Sequence, residues 1–213
     1  MNDLVHHLPA LLFVRHGETA WNAAGRIQGQ METELTARGL AQAQAVAMHL
    51  SARLGKAAGE LAIHASPMRR ARQTLAPILA ALGRDETAVC FDARLKERHF
   101  GEWQGRPRAE MLKGAGFDIP RERARYFHWR PVGGGESLAD VCARVEAFLH
   151  DLVAAGRPAL IVAHGGTFRA LSTLLLGASE EEAARMKIPQ GAICHIRAGR
   201  AAWQLCQAGE DVM

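Results

Sequence analysis

Residues 158–163 read PALIVA, an apolar run without one polar position, and residues 10–15 read ALLFVR, apolar up to the last residue. A strand that is apolar on both faces has to be covered on both, as in a parallel sheet with helices above and below it. LAIHA at 61–65 and AVCF at 88–91 supply shorter strands. Between the runs the period changes. Leu40, Ala43, Ala47, Leu50 and Leu54 recur at helical spacing over 36–54 with Thr36 as the N-cap, and Leu138, Val141, Val145, Phe148 and Leu152 mark a helix closed by Gly156. SPMRRARQT opens another helix, with Ser66 as the expected N-cap and Pro67 as the first helical residue; Pro77 is expected to end or kink it. A buried helix follows PALIVA and stops at Gly177, Ser179 and Glu182 form a capping box, and AICHIR and AAWQLC make a terminal hairpin. This alternation predicts an α/β fold, a three-layer α/β/α sandwich with a mostly parallel central sheet. Residues 92–135, rich in Gly, Pro and Arg, predict an irregular, partly helical segment, of which 98–135 is an insertion over one end of the sheet.

The 213 residues, 48% hydrophobic and 23% charged, suit one domain spanning 1–213 and exclude a disordered chain. A net charge of +4 suits small anionic substrates and is too weak to argue for nucleic acid. Cys90, Cys142, Cys194 and Cys206 stand far apart without a CxxC, the pattern of reduced thiols in a cytoplasmic protein. LPALLFV lacks the basic flank and cleavage site of a secretory signal, and no run suits a bilayer span, so the cytoplasm is expected and a membrane partner is not. RERARYFHWR at 121–130 mixes cations with aromatics, as a nucleic-acid platform does. It reads more simply as a solvated helix with Tyr126, Phe127 and Trp129 packed beneath. No nucleic-acid partner is therefore expected, and a homodimer is allowed.

The polar residues fall at strand ends. Arg15-His16-Gly17 ends the first strand, Ser66 to Arg70 follows the second, and His164-Gly165-Gly166 follows PALIVA. The carboxyl ends of parallel strands share one edge, where ligands bind in such sheets. Arginine forks suit phosphate oxygens. The glycine pair opens a helix and offers backbone N–H groups at its positive end. A neutral imidazole can attack phosphorus, and Glu97 in LKERHFGEWQG can supply the proton a leaving oxygen needs. Gly17 is expected to let phosphate approach the backbone. Cations beside His16 and His164 disfavour a metal, so neither metal nor cofactor is expected. His6, His7, His49 and His150 are expected at the surface, and His64 near the site.

In order and spacing, RHGETAWN, RIQGQMETELTARGLAQAQA, SPMRRARQT, LKERHFGEWQG, GGGESL and VAHGGTFRAL resemble the histidine phosphatase superfamily, the phosphoglycerate mutase-like phosphatases. The resemblance covers roughly residues 10–176 and implies His16 as the phosphorylated nucleophile and Glu97 as acid and base. It also implies that Arg15, Arg70 and a protonated His164 bind the phosphoryl group, with Asn22 beside it. Gln28, Gly29, Arg98 and Gly165 join the candidate phosphate- and substrate-binding set. Arg70 matches the family's arginine, while Arg69 is expected to face solvent. Glu32 and Glu34 depart from the family's aspartate and proline before the first helix. The implied activity is hydrolysis of small phosphate monoesters through a phosphohistidine. A cofactor-dependent phosphoglycerate mutase is the alternative, suggested by ERHFG. Against it, Phe100 replaces a tyrosine of the mutases and RPRAEM replaces their Asn-Lys continuation. An inactive phospho-ligand-binding protein is the remoter alternative. Arg98, His99, Arg106, Arg108 and Arg125 are candidates for a second anionic group.

Overall fold

The computed structural model describes residues 7–197 and the backbone of 200–205; His6 and Cys206 lie outside them. In chain order the main elements are β1 (Leu11–Arg15), a helical turn α1 (Ala20–Ala23), α2 (Ala37–Leu54), β2 (Ala62–Ala65), α3 (Arg69–Ala81), β3 (Val89–Phe91), α4 (Arg108–Gly114), α5 (Arg123–His128), α6 (Leu138–Ala155), β4 (Ala159–Ala163), α7 (Gly165–Leu176), α8 (Glu180–Arg185), β5 (Ala192–Arg197) and β6 (Arg200–Leu205). The six strands form one sheet in the order β3-β2-β4-β1-β5-β6. The first four are mutually parallel, while β5 and β6 add the expected antiparallel hairpin.

The period-2 alternation of β1 divides the core. Leu11 and Phe13 meet Val145, Phe148 and Leu152 of α6 and Phe168 and Leu171 of α7. Leu12 and Val14 meet Val46 and Leu50 of α2 and Leu75 and Ile78 of α3. β4, covered by both layers, is buried at every position. This is the three-layer arrangement, with the helices capped as the sequence indicates at Thr36 and Ser179 and closed at Gly156 and Gly177, and with Ser137 capping α6. Met111, Ile119, Tyr126 and Phe127, between β3 and α6, pack with Ile27 in a third apolar cluster.

Several expectations need correction. α3 begins at Arg69 and Ser66 does not cap it. Glu32 accepts from the Arg69 N–H at 2.8 Å instead, which releases the Ser66 hydroxyl for a buried partner. Pro77 neither ends α3 nor defines its last turn, since the helix runs on to Ala81. Burial of Thr74, Leu75, Ile78 and Leu79 against the sheet outweighs the lost hydrogen bond. His64 turns away from the strand-end site, edge-on to Phe148 at 5.2 Å. His49 is half-buried and its Nε2 has no hydrogen-bond partner, whereas His7 and His150 are exposed.

Gly17 is small for packing. A Cβ there would meet the backbone of Gly39, and a Cβ at Gly39 would meet the carbonyl oxygen of Glu18. The loop after β1 thus rests on the first turn of α2, backbone against backbone. Helix propensity alone would make Gly39→Ala stabilising by about 1 kcal/mol. The close approach reverses the sign, and overpacking of this kind costs about 1–3 kcal/mol. Denaturant unfolding of Gly39→Ala is expected to show a lowered midpoint; an unchanged or raised one would remove this contact from the account.

Candidate active site

The ladder of β1 continues one residue past the strand, with the His16 N–H donating to the Ala163 carbonyl at 3.0 Å. β2 does the same through Ser66 to Val162 at 3.0 Å, and His164 caps α7 directly after β4. Three strand ends therefore meet, and the His16 and His164 rings stand 5.2 Å apart.

His16 is buried, and its Nδ1 lies 2.7 Å from the Gly17 carbonyl oxygen. A carbonyl can only accept, so Nδ1 carries the proton and Nε2 keeps a free lone pair. Burial, then the Arg70 and Arg15 charges, push the His16 pKa well below 6.5. The ring is neutral and lines a cavity of about 390 Å³.

His164 is placed differently from expectation. Its Nδ1 accepts from Arg70 Nε at 3.2 Å and its Nε2 lies 2.7 Å from the Ser66 hydroxyl. Burial and the Arg70 charge hold its pKa well below 6.5 too, so the expected imidazolium is absent. Nδ1 must be bare to accept, so Nε2–H donates to Ser66. His164 stands behind the cavity wall and aims Arg70.

The other Arg70 nitrogens donate to the carbonyls of Met31 at 3.0 Å and Gly29 at 2.8 Å. Gly29 thus serves through its carbonyl. Arg15 donates through Nη1 to the Ile188 carbonyl, while its Nε is buried without a partner. Desolvation lowers both guanidinium pKa values to about 10, with Glu97 opposing, and both remain charged near neutrality. Asn22 Oδ1 accepts from the Thr19 N–H and hydroxyl, each at 3.1 Å, which leaves its amide N–H groups for the cavity it lines. Gln28 is buried, accepts from Thr33 at 2.6 Å and lines the same cavity.

Glu97 Oε1 accepts from the N–H groups of Arg98 at 2.8 Å and Gly166 at 2.9 Å. A Cβ at Gly166 would overlap that oxygen, so the second glycine of the pair is what lets the carboxylate reach the first turn of α7. Oε2 remains for a bound molecule. Gly165 lines the cavity beside Arg15. Arg98 is buried, donates at 2.6 Å to the carbonyls of Glu136 and Trp129, and lies under the rings of Phe100 and Tyr126 at 4.9 and 4.8 Å. It ties parts of the segment between β3 and α6 to one another as well as lining the cavity.

Of the arginines singled out in the cover, Arg98 and Arg108 line the cavity. Arg106 lies over Trp103, Arg125 pairs with Glu122, and the His99 ring accepts from the Gly101 N–H. Arg69 is exposed and pairs with Glu34 at 2.9 Å. Arg26, Arg169, Lys187 and Gln190 line the cavity and were missed. Arg169 had a signal, four residues after Gly165 on one face of a helix; Lys187, in a loop without period, had none. Among the described residues no three His, Cys, Asp or Glu side chains cluster as metal ligands, and no helix is long and apolar enough to cross a membrane. The three described cysteines are free thiols.

A bare imidazole nitrogen, guanidinium forks and one carboxylate around a small cavity can bind a phosphoryl group and transfer it. Comparison with known proteins points the same way. The histidine phosphatase superfamily (branch 1) matches residues 11–211. Glucosyl-3-phosphoglycerate phosphatase of Mycolicibacterium vanbaalenii is 41% identical over 78% of this chain and 74% of its own length. 2,3-bisphosphoglycerate-dependent phosphoglycerate mutase 2 of Gloeobacter violaceus is 33% identical over 84% and 80%. Among solved structures, a mycobacterial glucosyl-3-phosphoglycerate phosphatase superposes with a TM-score of 0.74 at 32% identity, covering 92% of this chain and 96% of that one. The chain belongs to the histidine phosphatase superfamily.

Proposed function

We propose that this protein is a metal-independent phosphomonoesterase of small phosphorylated metabolites, working in the cytoplasm through a phosphohistidine on His16. The observation that carries this reading is the bare Nε2 of a buried, neutral His16 between Arg15 and Arg70. Nε2 attacks phosphorus, the P–N bond forms, and the bond to the ester oxygen breaks. Glu97, protonated for this step, gives the proton to the leaving oxygen from Oε2. In the second half its carboxylate takes a proton from water as the oxygen attacks phosphorus and the P–N bond breaks. Atoms and charges return to the start. Arg15 and Arg70 hold the equatorial oxygens, and His164 with Ser66 keeps Arg70 in place. We read residues 98–135 as the cover of a single domain.

The mutase reading shares the first half and differs in the fate of the phosphoryl group, which a mutase must shield from water. Exposed Arg26, Arg108 and Lys187 on the cavity lining argue for an opening through which water arrives, and hence for hydrolysis.

His16→Ala is expected to abolish hydrolysis of an aryl phosphate while the circular dichroism spectrum persists, and a chelator is expected to leave wild-type turnover unchanged. Most of the activity surviving in the variant, or a rate lost to the chelator and restored by metal, would contradict the mechanism. Glu97→Gln is expected to lower kcat about 10²–10⁴-fold with alkyl esters and much less with aryl esters, whose oxygens leave without a proton. An equal loss in both series would remove Glu97 as the acid.

The buried histidines also set a stability profile. In the unfolded chain His16 and His164 take up protons near 6.5, whereas the folded state holds both well below it. The unfolded state therefore binds more protons as pH falls, and stability present above 6.5 is lost on acidification. Denaturant unfolding across about pH 7.5 to 5.5 is expected to give falling midpoints, with a shallower slope in His16→Ala. A flat or inverted wild-type slope would mean that these rings are charged in the fold.

A further inference from the structure

Residues 96–100, which carry Glu97, belong to no helix or strand. A segment without a ladder of its own takes its place from contacts made by other elements. Thr167 of α7 donates from its buried hydroxyl to the Leu95 carbonyl at 3.1 Å. Arg144 of α6 donates to the carbonyls of Arg94 and, at 3.2 Å, of Glu97. Gln30, from the loop between α1 and α2, donates to the same Glu97 carbonyl at 3.0 Å. Two donors from distant parts of the chain thus take both lone pairs of that oxygen.

Glu136, in the GGGESL stretch, ties these donors together. Its carboxylate accepts from Arg144 Nε at 2.9 Å and Nη2 at 3.2 Å, from the His99 N–H at 2.8 Å and from Gln30 Nε2 at 3.4 Å. Its own N–H donates to the His99 carbonyl at 2.8 Å. Exposed ion pairs contribute little, but here the side chains are 17% and 22% exposed and meet fork to fork. Neither residue lines the cavity. The two other bonds of Arg144 go to the segment that carries Glu97. That segment has to keep its register against α7. Glu97 Oε1 bridges the Arg98 N–H, which moves with the segment, and the Gly166 N–H, which belongs to α7. A shift between the two breaks the bridge and turns Oε2 away from the ester.

We infer that Arg144, Gln30 and Glu136 are positioning residues for the acid: Arg144 and Gln30 hold the Glu97 carbonyl, and Glu136 orients them both. This rests on the phosphatase reading and adds to it three residues that touch no substrate. They set the line from Glu97 Oε2 to the leaving oxygen and leave His16, Arg15 and Arg70 as they are. Misplacing a reacting group by 1 Å costs about 10²-fold in rate. The loss from removing them therefore falls on esters whose oxygen needs a proton to leave, and spares those whose oxygen does not.

A leaving-group series separates this role from a merely structural one. The readout is kcat/KM for alkyl and aryl phosphates in the wild type, Arg144→Met and Gln30→Met. Arg144→Met is expected to lower the alkyl values about 10–10²-fold and the aryl values less than about threefold, which steepens the dependence on leaving-group pKa. Gln30→Met, which removes a single donor, is expected to lower the alkyl values about three- to tenfold in the same pattern. In a Glu97→Gln background Arg144→Met is expected to cause no further loss with alkyl esters, because the group it positions is already gone. Equal losses in both series, an unchanged dependence in both variants, or losses that multiply with Glu97→Gln overturn the positioning role and leave the phosphatase standing. A wild type that cleaves neither series overturns the phosphatase reading and this role with it.

Discussion

One hydrogen bond decides what this cavity can do, the 2.7 Å contact from His16 Nδ1 to the carbonyl of its own neighbour Gly17. It assigns the proton to the nitrogen facing the backbone and leaves the other bare. Burial and two guanidinium groups then make protonation of that second nitrogen unfavourable. The same cations that would hold a phosphoryl group thereby keep its attacker uncharged. The sheet supplies the position, because the β1 ladder extends through the His16 N–H to Ala163 and fixes the backbone that carries the ring.

The second histidine shows the same logic turned to another purpose. His164 spends both nitrogens inside the protein, one accepting from Arg70 and the other directed to Ser66. It exchanges a charge for orientation. The Gly17–Gly39 contact completes the mount, since it brings the loop carrying the accepting carbonyl down onto the first turn of α2. Small residues around this site are there for approach: Gly39 to the Glu18 carbonyl, Gly166 to the Glu97 carboxylate.

Much of this was legible in the chain. PALIVA and ALLFVR fix a sheet covered on both sides, and the abrupt polar residues after each run locate the edge that matters. Thr36, Ser179, Gly156 and Gly177 bound their helices because capping is local chemistry. What the chain concealed depends on contacts distant in sequence. Ser66 has the spacing of an N-cap, and only the arrival of Glu32 at Arg69 and of His164 at Ser66 reassigns it. Pro77 is overruled by the packing of its neighbours on the sheet. The neutral state of His164 depends on burial and on the direction of one donor, neither written in a motif. Lys187 joins the cavity because Arg15 and Arg169 grip the loop on either side of it.

Nitrogen NMR of the His16 ring tests the central claim most directly, because it reads tautomer and titration together. A protonated Nδ1, a bare Nε2 and a midpoint well below 6.5 are expected in the free protein. A proton on Nε2, or a midpoint at or above 6.5, would contradict the account, since the nitrogen meant to attack would then be occupied.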